Sequence, residues 1–587
     1  MHSFVAEATD TPGYLAHPIP EPVLPDNFYR ADRTLQRLLR RYFPNQPEEW
    51  AWAKDFLTEW GGVCAQQVEP LIATADKNGP TLRQFDRRGD RVDELIFHPA
   101  YHEISRLAYS NGLAGMSNGP GFRGRQAPTS QLVKFAAMYL FTQADGSISC
   151  PVSMTDILTR VLKMYASPAL LDRYLSGLTT LDYDRLLTGA MFMTEKTGGS
   201  DVGATTTVAV PKEEWWELSG DKWFCSNAGA DLILTLARPE GAAPGTRGLG
   251  LFLVPKILPD GSRNSYEINR LKDKLGTRAM ASGEITFRQT KAYLIEPLER
   301  GFVMMMEMVN GTRLHSGVAG AANLRRAVLE ATLHGRERKS FGRPLIEQPL
   351  FADQLADLVV DSDASTALFL EAAYRLDQSD RRQTTEAKVL SRLLIALLKG
   401  YATDHGVKAA QKALEMRGGN GYIEDWPNAR LLRDSLVQII WEGGINMVAF
   451  EVLRTLEREN AWPLYAAALQ NELARIQSPG LTTPVNSLKI CIELVGREVE
   501  RLLAQPRATQ EIVAPHLAEA MASLYAAVLL IANANESLTA QDQAARRDLE
   551  SARRYYTRFL QPLLENLKRP ANAGSVDELL GNVVPAE

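Results

Sequence analysis

A mainly α-helical chain with a β domain at its centre is the fold class this sequence predicts. Three changes of pattern along the 587 residues predict it. From about Asp26 to Leu187, apolar residues recur at three- and four-residue spacing, the stripe of a helix that buries one face. Near Gly189 the chain turns to β-branched and aromatic residues, which suit a pleated, half-buried surface, and it stays so to about 297. After Gly301 helical spacing returns in four long segments, about 302–339, 350–377, 384–417 and 428–459. Each exceeds an average globular helix, as a four-helix bundle requires. The expected layout is an N-terminal extension and helical domain (1–188), a middle β domain (189–297), a C-terminal four-helix bundle (298–460) and an additional helical domain (461–587).

The Pro-rich first 25 residues read as an extended arm over the surface. "DRTLQRLLRRYF" and "EEWAWAKDFLTEWGGVCAQQVEPLIATAD" carry helical periodicity. "SNGLAGMSNGPGFRGRQAP" (110–128) is too rich in glycine and proline for a helix and reads as a long loop. "TSQLVKFAAMYLF" resumes the helical pattern. In the β domain, Ser219-Gly220-Asp221 reads as a hairpin turn between strands. "RGLGLFLVPK" and "ASGEITFRQTKAYLI" continue the strand pattern. Beyond a break at "ENAWPLY", the tail is helical, punctuated at "SPGLTTP" and at Pro506.

With 45% hydrophobic residues the chain can bury a large core, and its net charge of −5 gives no global attraction to nucleic acid or anionic lipid. Charged residues or glycine interrupt the longest apolar stretches, so no membrane span is expected. "MHSFVAEATDTPGY" has acidic residues and no apolar h-region, unlike a secretory signal or an Arg-rich transit peptide. Cys64, Cys150, Cys225 and Cys491 show neither metal-ligand spacing nor a disulfide framework, which suits a reducing cytoplasm.

Five stretches can carry chemistry. "GAMFMTEKTGGSDVGATTT" (189–207) has the glycines to form a nest of N–H groups for phosphate, or is a surface loop entering the β domain. "DKWFCSN" (221–227) offers an aromatic face and a hydroxyl to a flat heterocycle, or is a strand with a half-buried Trp. "GRERKSFGRPL" (335–345) clusters bases near a helix end, for phosphate or for the helix dipole. "EMRGGNGYIEDWP" (415–427) is a glycine turn, a backbone held close to a ligand or an elaborate helix cap. "VQIIWEGGINM" (437–447) sets one carboxylate, Glu442, in an apolar run. Such a wall raises the basicity of a proton acceptor; the alternative is an ion pair with an arginine such as Arg433.

The order of these stretches resembles the acyl-CoA dehydrogenase family of flavoproteins. The motifs are Thr-Glu-x-x-x-Gly-Ser-Asp, aromatic-x-Ser-Asn, a helix with Thr-Arg, Glu-Arg-Lys-Ser-Phe-Gly, Gly-Gly-Asn-Gly-Tyr and Trp-Glu-Gly, across roughly 130–455. Length and helical tail make the chain similar to the AidB-like branch of that family. The resemblance implies FAD held between the β domain and the bundle, with part of each site supplied by a neighbouring subunit of a homotetramer. It places Met193, Thr194, Gly199 and Ser200 at the flavin and its pyrophosphate, Phe224 beside the isoalloxazine and Ser226 near its N5. Arg338 and Ser340 would reach the FAD diphosphate of the adjacent subunit, with Phe341 near the adenine and Gln348 at a further FAD contact. Met416, Gly418 and Gly419 would lie against the ADP part. Ser200, Asn310, Arg313 and Gly443 fall at acyl-CoA positions.

Glu442 falls on the catalytic base. The implied reaction takes the pro-R α-proton of an acyl thioester while a hydride leaves the β-carbon for flavin N5, giving a trans-2-enoyl-CoA. The thioester carbonyl would be polarised by the Glu442 N–H and a ribityl hydroxyl. Electron-transfer flavoprotein is the implied acceptor. Departures from the family are Gly444 in place of a common Thr, with Asn446 taking part of its flavin contact, and Lys196-Thr197 in place of Pro-Gly. The loop 110–128 is also unusual. An acyl-CoA oxidase and a DNA-binding flavoprotein of the alkylation response are the alternatives. Against the latter, residues 465–587 hold 12 Lys plus Arg and 14 Asp plus Glu, a balance of −2, where duplex binding needs phosphate neutralisation. Arg546, Arg547, Arg553, Arg554, Arg558, Lys568 and Arg569 do cluster, and read as a solvated or interface face.

Overall fold

The computed structural model describes residues 23–567. The extended arm expected for the first 25 residues, apart from its last three, and the bases Lys568 and Arg569 lie outside the described residues. The chain is mainly helical with a central β domain.

Helices Arg33–Arg40, Pro47–Val63 and Glu69–Lys77 open the fold; the last two run on through a π-helical turn at Cys64–Val68. One feature of this region departs from the helical expectation. Thr81–Phe85 and Arg91–Ile96 form an antiparallel hairpin. Its turn is closed by the Asp86 carboxylate, which accepts from the backbone of Arg88 and Asp90, and by Gly89 at φ +88°. The signal was present in the alternation on either side of "DRRGD", overshadowed by the flanking helices. Residues 111–130 hold no helix, as their glycines require, yet Leu113, Ala114 and Met116 are buried. Helices Gln131–Ala144 and Ser149–Tyr165 follow; the first is buried along its whole length.

The β domain closes on itself. Leu232–Pro239 pairs with Val208–Pro211, then come Trp216–Ser226, Ser282–Ile295 and Gly250–Pro255, which pairs back onto Leu232–Pro239. Gly189–Phe192 and Tyr266–Leu271 flank this ring. The hairpin turn expected at Ser219–Asp221 is not there: these residues lie inside the strand Trp216–Ser226. Gly220, at φ +152°, makes a bulge, and a Cβ on it would sit 2.7 Å from the Thr207 Cα. The turn lies earlier, where Lys212 N–H donates to the Trp215 carbonyl.

Bundle helices Gly301–Glu337, Pro349–Arg382 and Thr385–Arg417 match the expected segments. The fourth does not run unbroken. The segment read as one helix over 428–459 is two, Pro427–Gln438 and Ile445–Glu459, and the break holds Glu442 at φ +59° and Gly443 at φ +94°.

C-terminal helices Ala461–Ala474, Thr482–Leu503, Arg507–Thr539 and Ala545–Tyr555 share one continuous apolar core with the bundle and the first helices. Among the described residues, Arg507–Thr539 alone is long and apolar enough to cross a membrane, and 89% of its apolar window is buried inside this fold. Arginines of Ala545–Tyr555 and of the π-helical turn Tyr556–Leu560 after it face the acids of Pro349–Arg382: Arg547 bonds Asp363, Arg554 bonds Asp353 and Asp357, and Arg558 bonds Asp353. The basic cluster is thus an intramolecular interface in these three positions.

A buried group also ties the tail to the bundle. His405 Nδ1 lies 2.8 Å from Asp361, whose other partner is the Tyr401 hydroxyl, itself 2.8 Å from Tyr555; Glu519 is 3.9 Å from His405 Nε2. Burial works against the imidazolium, but Asp361 and Glu519 outweigh it, together with the opposing charge of Lys408, and the folded pKa rises to about 9. The stabilising charge is fully present below pH 6.5 and is lost as pH rises through about 9. Limited proteolysis is expected to release the C-terminal helices faster at pH 9.5 than at pH 6. His405→Gln should flatten that dependence.

Candidate active site

The centre of the site is the interruption between Pro427–Gln438 and Ile445–Glu459. A non-glycine residue in the left-handed region costs about 1–2 kcal/mol, and such strain persists only where neighbours hold it. Here Arg313 Nε donates to the Glu442 carbonyl at 3.0 Å and Lys399 Nζ donates to the Gly443 carbonyl at 2.7 Å. Both cations come from bundle helices. The Arg313 guanidinium also reaches the Asn310 side-chain oxygen at 3.3 Å.

The Glu442 carboxyl is enclosed, and its Oε2 is buried without a hydrogen-bond partner among the described residues. Burial raises its pKa above the usual carboxylate value, opposed by the Thr312 hydroxyl, Arg313 and Lys399. Arg433, the alternative partner, instead bonds Asp76 and Glu424, each at 2.9 Å. Cys150 joins this turn to the β domain: its thiol bonds the Ser226 hydroxyl and feels the Glu442 charge, and burial pushes its pKa up to about 12. Trp441, Met193, Met280 and Met305 pack in one apolar cluster behind the turn.

The β-domain residues of the expected site lie on adjoining segments. Ser226 pairs with Ser282, and Phe224 is 58% exposed beside Trp223, whose ring lies under Lys272 Nζ at 3.1 Å. Met193 and Thr194 lead into the Gly198–Gly199–Ser200 loop. Sequence reasoning passed over what anchors this loop. Glu195 accepts from the Thr206 hydroxyl and the Thr207 hydroxyl, both at 2.6 Å, and from buried Lys222 at 2.8 Å. Burial opposes its ionisation, yet these donors hold its pKa down at about 2.

A second group lies elsewhere. Arg338, Gly418 and Gly419 line a cavity of about 280 Å³ with His334, Arg417 and Trp426. Among the described residues, neither glycine has a neighbouring atom within 4 Å of the place a Cβ would occupy, and Gly418 has φ +71°. Ser340 lies in a two-residue hairpin with Phe341 at its tip, 95% exposed, and Gln348 donates to the Ser340 carbonyl at 2.9 Å. Met416 is packed in the core beneath. Asn310, in the third turn of Gly301–Glu337, and Arg338, its C-cap, are about 40 Å apart at 1.5 Å per residue. One chain therefore brings Glu442, Gly443, Asn310, Arg313 and Ser226 together, but not these with Arg338, Ser340, Phe341, Gln348, Met416, Gly418 and Gly419. Asn446 is exposed in the first turn after Glu442.

Residues 190–290 match the acyl-CoA dehydrogenase middle domain and 299–456 the acyl-CoA dehydrogenase C-terminal domain; 19–185 match the adaptive response protein AidB N-terminal domain. The chain is 32% identical to acyl-CoA dehydrogenase family member 11 of Caenorhabditis elegans over 558 residues, 92% of this chain and 88% of that one. The chain belongs to the acyl-CoA dehydrogenase family. It is also 34% identical to the putative acyl-CoA dehydrogenase AidB of Escherichia coli over 453 residues, 75% of this chain and 80% of that one. The crystal structure of C. elegans ACDH-11 in complex with C11-CoA superposes with a TM-score of 0.86 at 29% identity, covering 99% of this chain and 98% of that one. The AidB-like N-terminal domain and the extra C-terminal helices place the chain in the AidB-like branch.

The family is one of FAD-dependent oxidoreductases, and FAD is this chain's cofactor. The residues present fit it. Exposed Phe224 offers a face to a planar ring, the Gly418–Gly419 turn leaves room for close backbone approach, and Arg338 gives the cavity beside it positive charge.

Proposed function

We propose that the protein is an acyl-CoA dehydrogenase that converts an acyl-CoA to a trans-2-enoyl-CoA, with Glu442 as the base. The observation that carries this reading is the enclosed Glu442 carboxyl on a left-handed turn, its Oε2 buried without a hydrogen-bond partner among the described residues, near the Cys150 thiol that bonds Ser226. When bound, FAD supplies the acceptor for the hydride from the substrate β-carbon. Phe224, Ser226, Met193, Thr194, Gly199 and Ser200 would hold its ring end, with Asn446 adding a contact. Glu442 takes the α-proton, and its buried setting strengthens it as a base. The Glu442 N–H donates to the thioester carbonyl; a donor of this kind is worth about 3 kcal/mol in the transition state. Gly443 leaves that amide open to the substrate, and Ser200, Asn310 and Arg313 border the CoA path.

Arg338, Ser340, Phe341, Gln348, Met416, Gly418 and Gly419 would hold the nucleotide end of FAD bound to a neighbouring copy. Arg338 lies about 40 Å along one helix from Asn310, which meets the Glu442 turn through Arg313, so a homo-oligomer, a tetramer by this reading, completes the site. A relative that binds C11-CoA favours longer acyl groups. We place the reaction in cytoplasmic acyl-CoA catabolism, with electron-transfer flavoprotein as acceptor.

An anaerobic titration of the yellow protein with acyl-CoAs of graded length tests the reading. Bleaching of the flavin absorbance is expected, strongest with long chains. Rapid peroxide production on admitting air would make the protein an oxidase. No bleaching, with a salt-sensitive shift of duplex DNA, would replace the reading with a DNA-binding one.

A further inference from the structure

Buried lysines in this fold have reasons to be buried, with one exception. Lys134 bonds Asp156 at 2.6 Å and Lys222 bonds Glu195 at 2.8 Å. Half-buried Lys274 donates to the carbonyls of Thr277 and Met280, both at 2.7 Å. Lys399, fully buried in the middle of Thr385–Arg417, has no carboxylate within 4.0 Å among the described residues, and its hydrogen bond goes to the Gly443 carbonyl. An ammonium with so little around it costs several kcal/mol unless a nearby charge compensates it. The one anion that acts on it is Glu442; the other charge it feels is Arg313.

We propose that Lys399 is a positioning residue for the reaction: its ammonium holds the Gly443 carbonyl, fixing the strained turn, and supplies the counter-charge that keeps Glu442 ionised. This rests on the reading of Glu442 as the base. The geometry divides the work between two cations. Arg313 holds the carbonyl of Glu442 itself and is anchored from the side by Asn310. Arg313 is also compensated elsewhere, since Glu451 acts on it more strongly than Glu442 does, with Arg454 opposing. Lys399 has no such second anion, so its charge is directed at the turn. Glu442 is faced by Lys399 and Arg313 from the bundle helices, by the Thr312 hydroxyl and by the neutral Cys150 thiol of Ser149–Tyr165. Removing the Lys399 charge therefore removes one of the two cations that, among the described residues, oppose its protonation.

The test is the pH dependence of anaerobic flavin reduction by the best acyl-CoA from the graded series, in wild type, K399Q, K399M and K399R. The rate needs Glu442 ionised, so it falls on the acid side. That limb is expected to move up by about 1 pH unit in K399Q and K399M, the order of shift that loss of a neighbouring opposite charge produces. K399R, which keeps the charge, should stay near wild type. K399M, which also releases the Gly443 carbonyl, should lose about tenfold in limiting rate beyond K399Q. The carboxylate stretch of Glu442, identified by its loss in Glu442→Gln, should titrate at the same displaced pH in infrared difference spectra, with or without substrate. K399Q retains a donor for the carbonyl, so it decides the matter where K399M fails to fold. An unmoved acid limb and infrared titration in K399Q overturn the proposal, while an inert Glu442→Gln variant would leave the reading of the base standing. Normal reduction by Glu442→Gln would end that reading instead.

Discussion

Glu442→Gln is expected to abolish bleaching of the bound flavin by acyl-CoA while leaving the protein yellow. The amide has nearly the shape of the carboxyl and can occupy the same enclosed position, so the turn and its two carbonyl contacts with Arg313 and Lys399 survive. What is lost is the proton acceptor. General-base groups contribute about 10²–10⁴-fold, and the α-proton of a thioester is acidic enough to leave only toward a base placed for it. A fall of about 10⁴-fold in the reductive rate, read by stopped-flow absorbance, is the expected result. The substitution removes a carboxyl whose buried Oε2 has no partner among the described residues. Neutralising Glu442 also leaves buried Lys399 without the anion that acts on it, so the thermal midpoint is expected to fall while the flavin stays bound, which separates the stability effect from the loss of rate. Reduction at the wild-type rate would exclude Glu442 as the base.

Arg326→Met is expected to be the most destabilising single change. Arg326 is completely buried on Gly301–Glu337 and joins three parts of the fold. It donates twice to Glu69 at 2.7 Å, once to Glu330 at 2.9 Å and once to the Gln143 carbonyl at 2.8 Å. Arg417 shares Glu330 at 2.6 Å. Methionine fills much of the volume but leaves Glu69 and the Gln143 carbonyl with their main partner gone. Breaking a buried pair from one side costs about 3–5 kcal/mol, because the remaining charge stays desolvated. A lowered thermal midpoint and loss of soluble protein on expression are the measurements. Adding Glu69→Gln to Arg326→Met should recover part of the loss. A double variant worse than the single one would mean that Arg326 acts through packing and not through charge.

The order helical, β, helical was legible because each part carries a different hydrophobic period over a hundred residues or more, and period is a local property. The elements missed were short or broke the local rule. The hairpin at Thr81–Ile96 is two strands of five and six residues inside helical sequence. Gly220 reads as a turn by composition but makes a bulge, because its neighbours on both sides pair with Ser282–Ile295. The bundle's last segment has apolar periodicity on both sides of Trp441, and only the positive φ of Glu442 and Gly443 shows that the helix stops between them. Lys399 and Glu195 gave no signal, since a lone Lys or Glu in a helix or loop is ordinary until its surroundings are known.

The sequence alone determined the mixture and order of secondary structure, the family through its ordered motifs, and Glu442 as the carboxylate of interest, because composition, period and motif spacing are all written along the chain. The tertiary structure decided which groups act on that carboxylate. It set Arg313 on the Glu442 backbone carbonyl and Lys399 on that of Gly443, placed the carboxylate near the Cys150 thiol that bonds Ser226, and separated it from the Arg338–Gly419 cavity by much of the length of a helix. Distance and desolvation between residues far apart in sequence exist only after folding, and they fix the charge, the strain and the reach of a site.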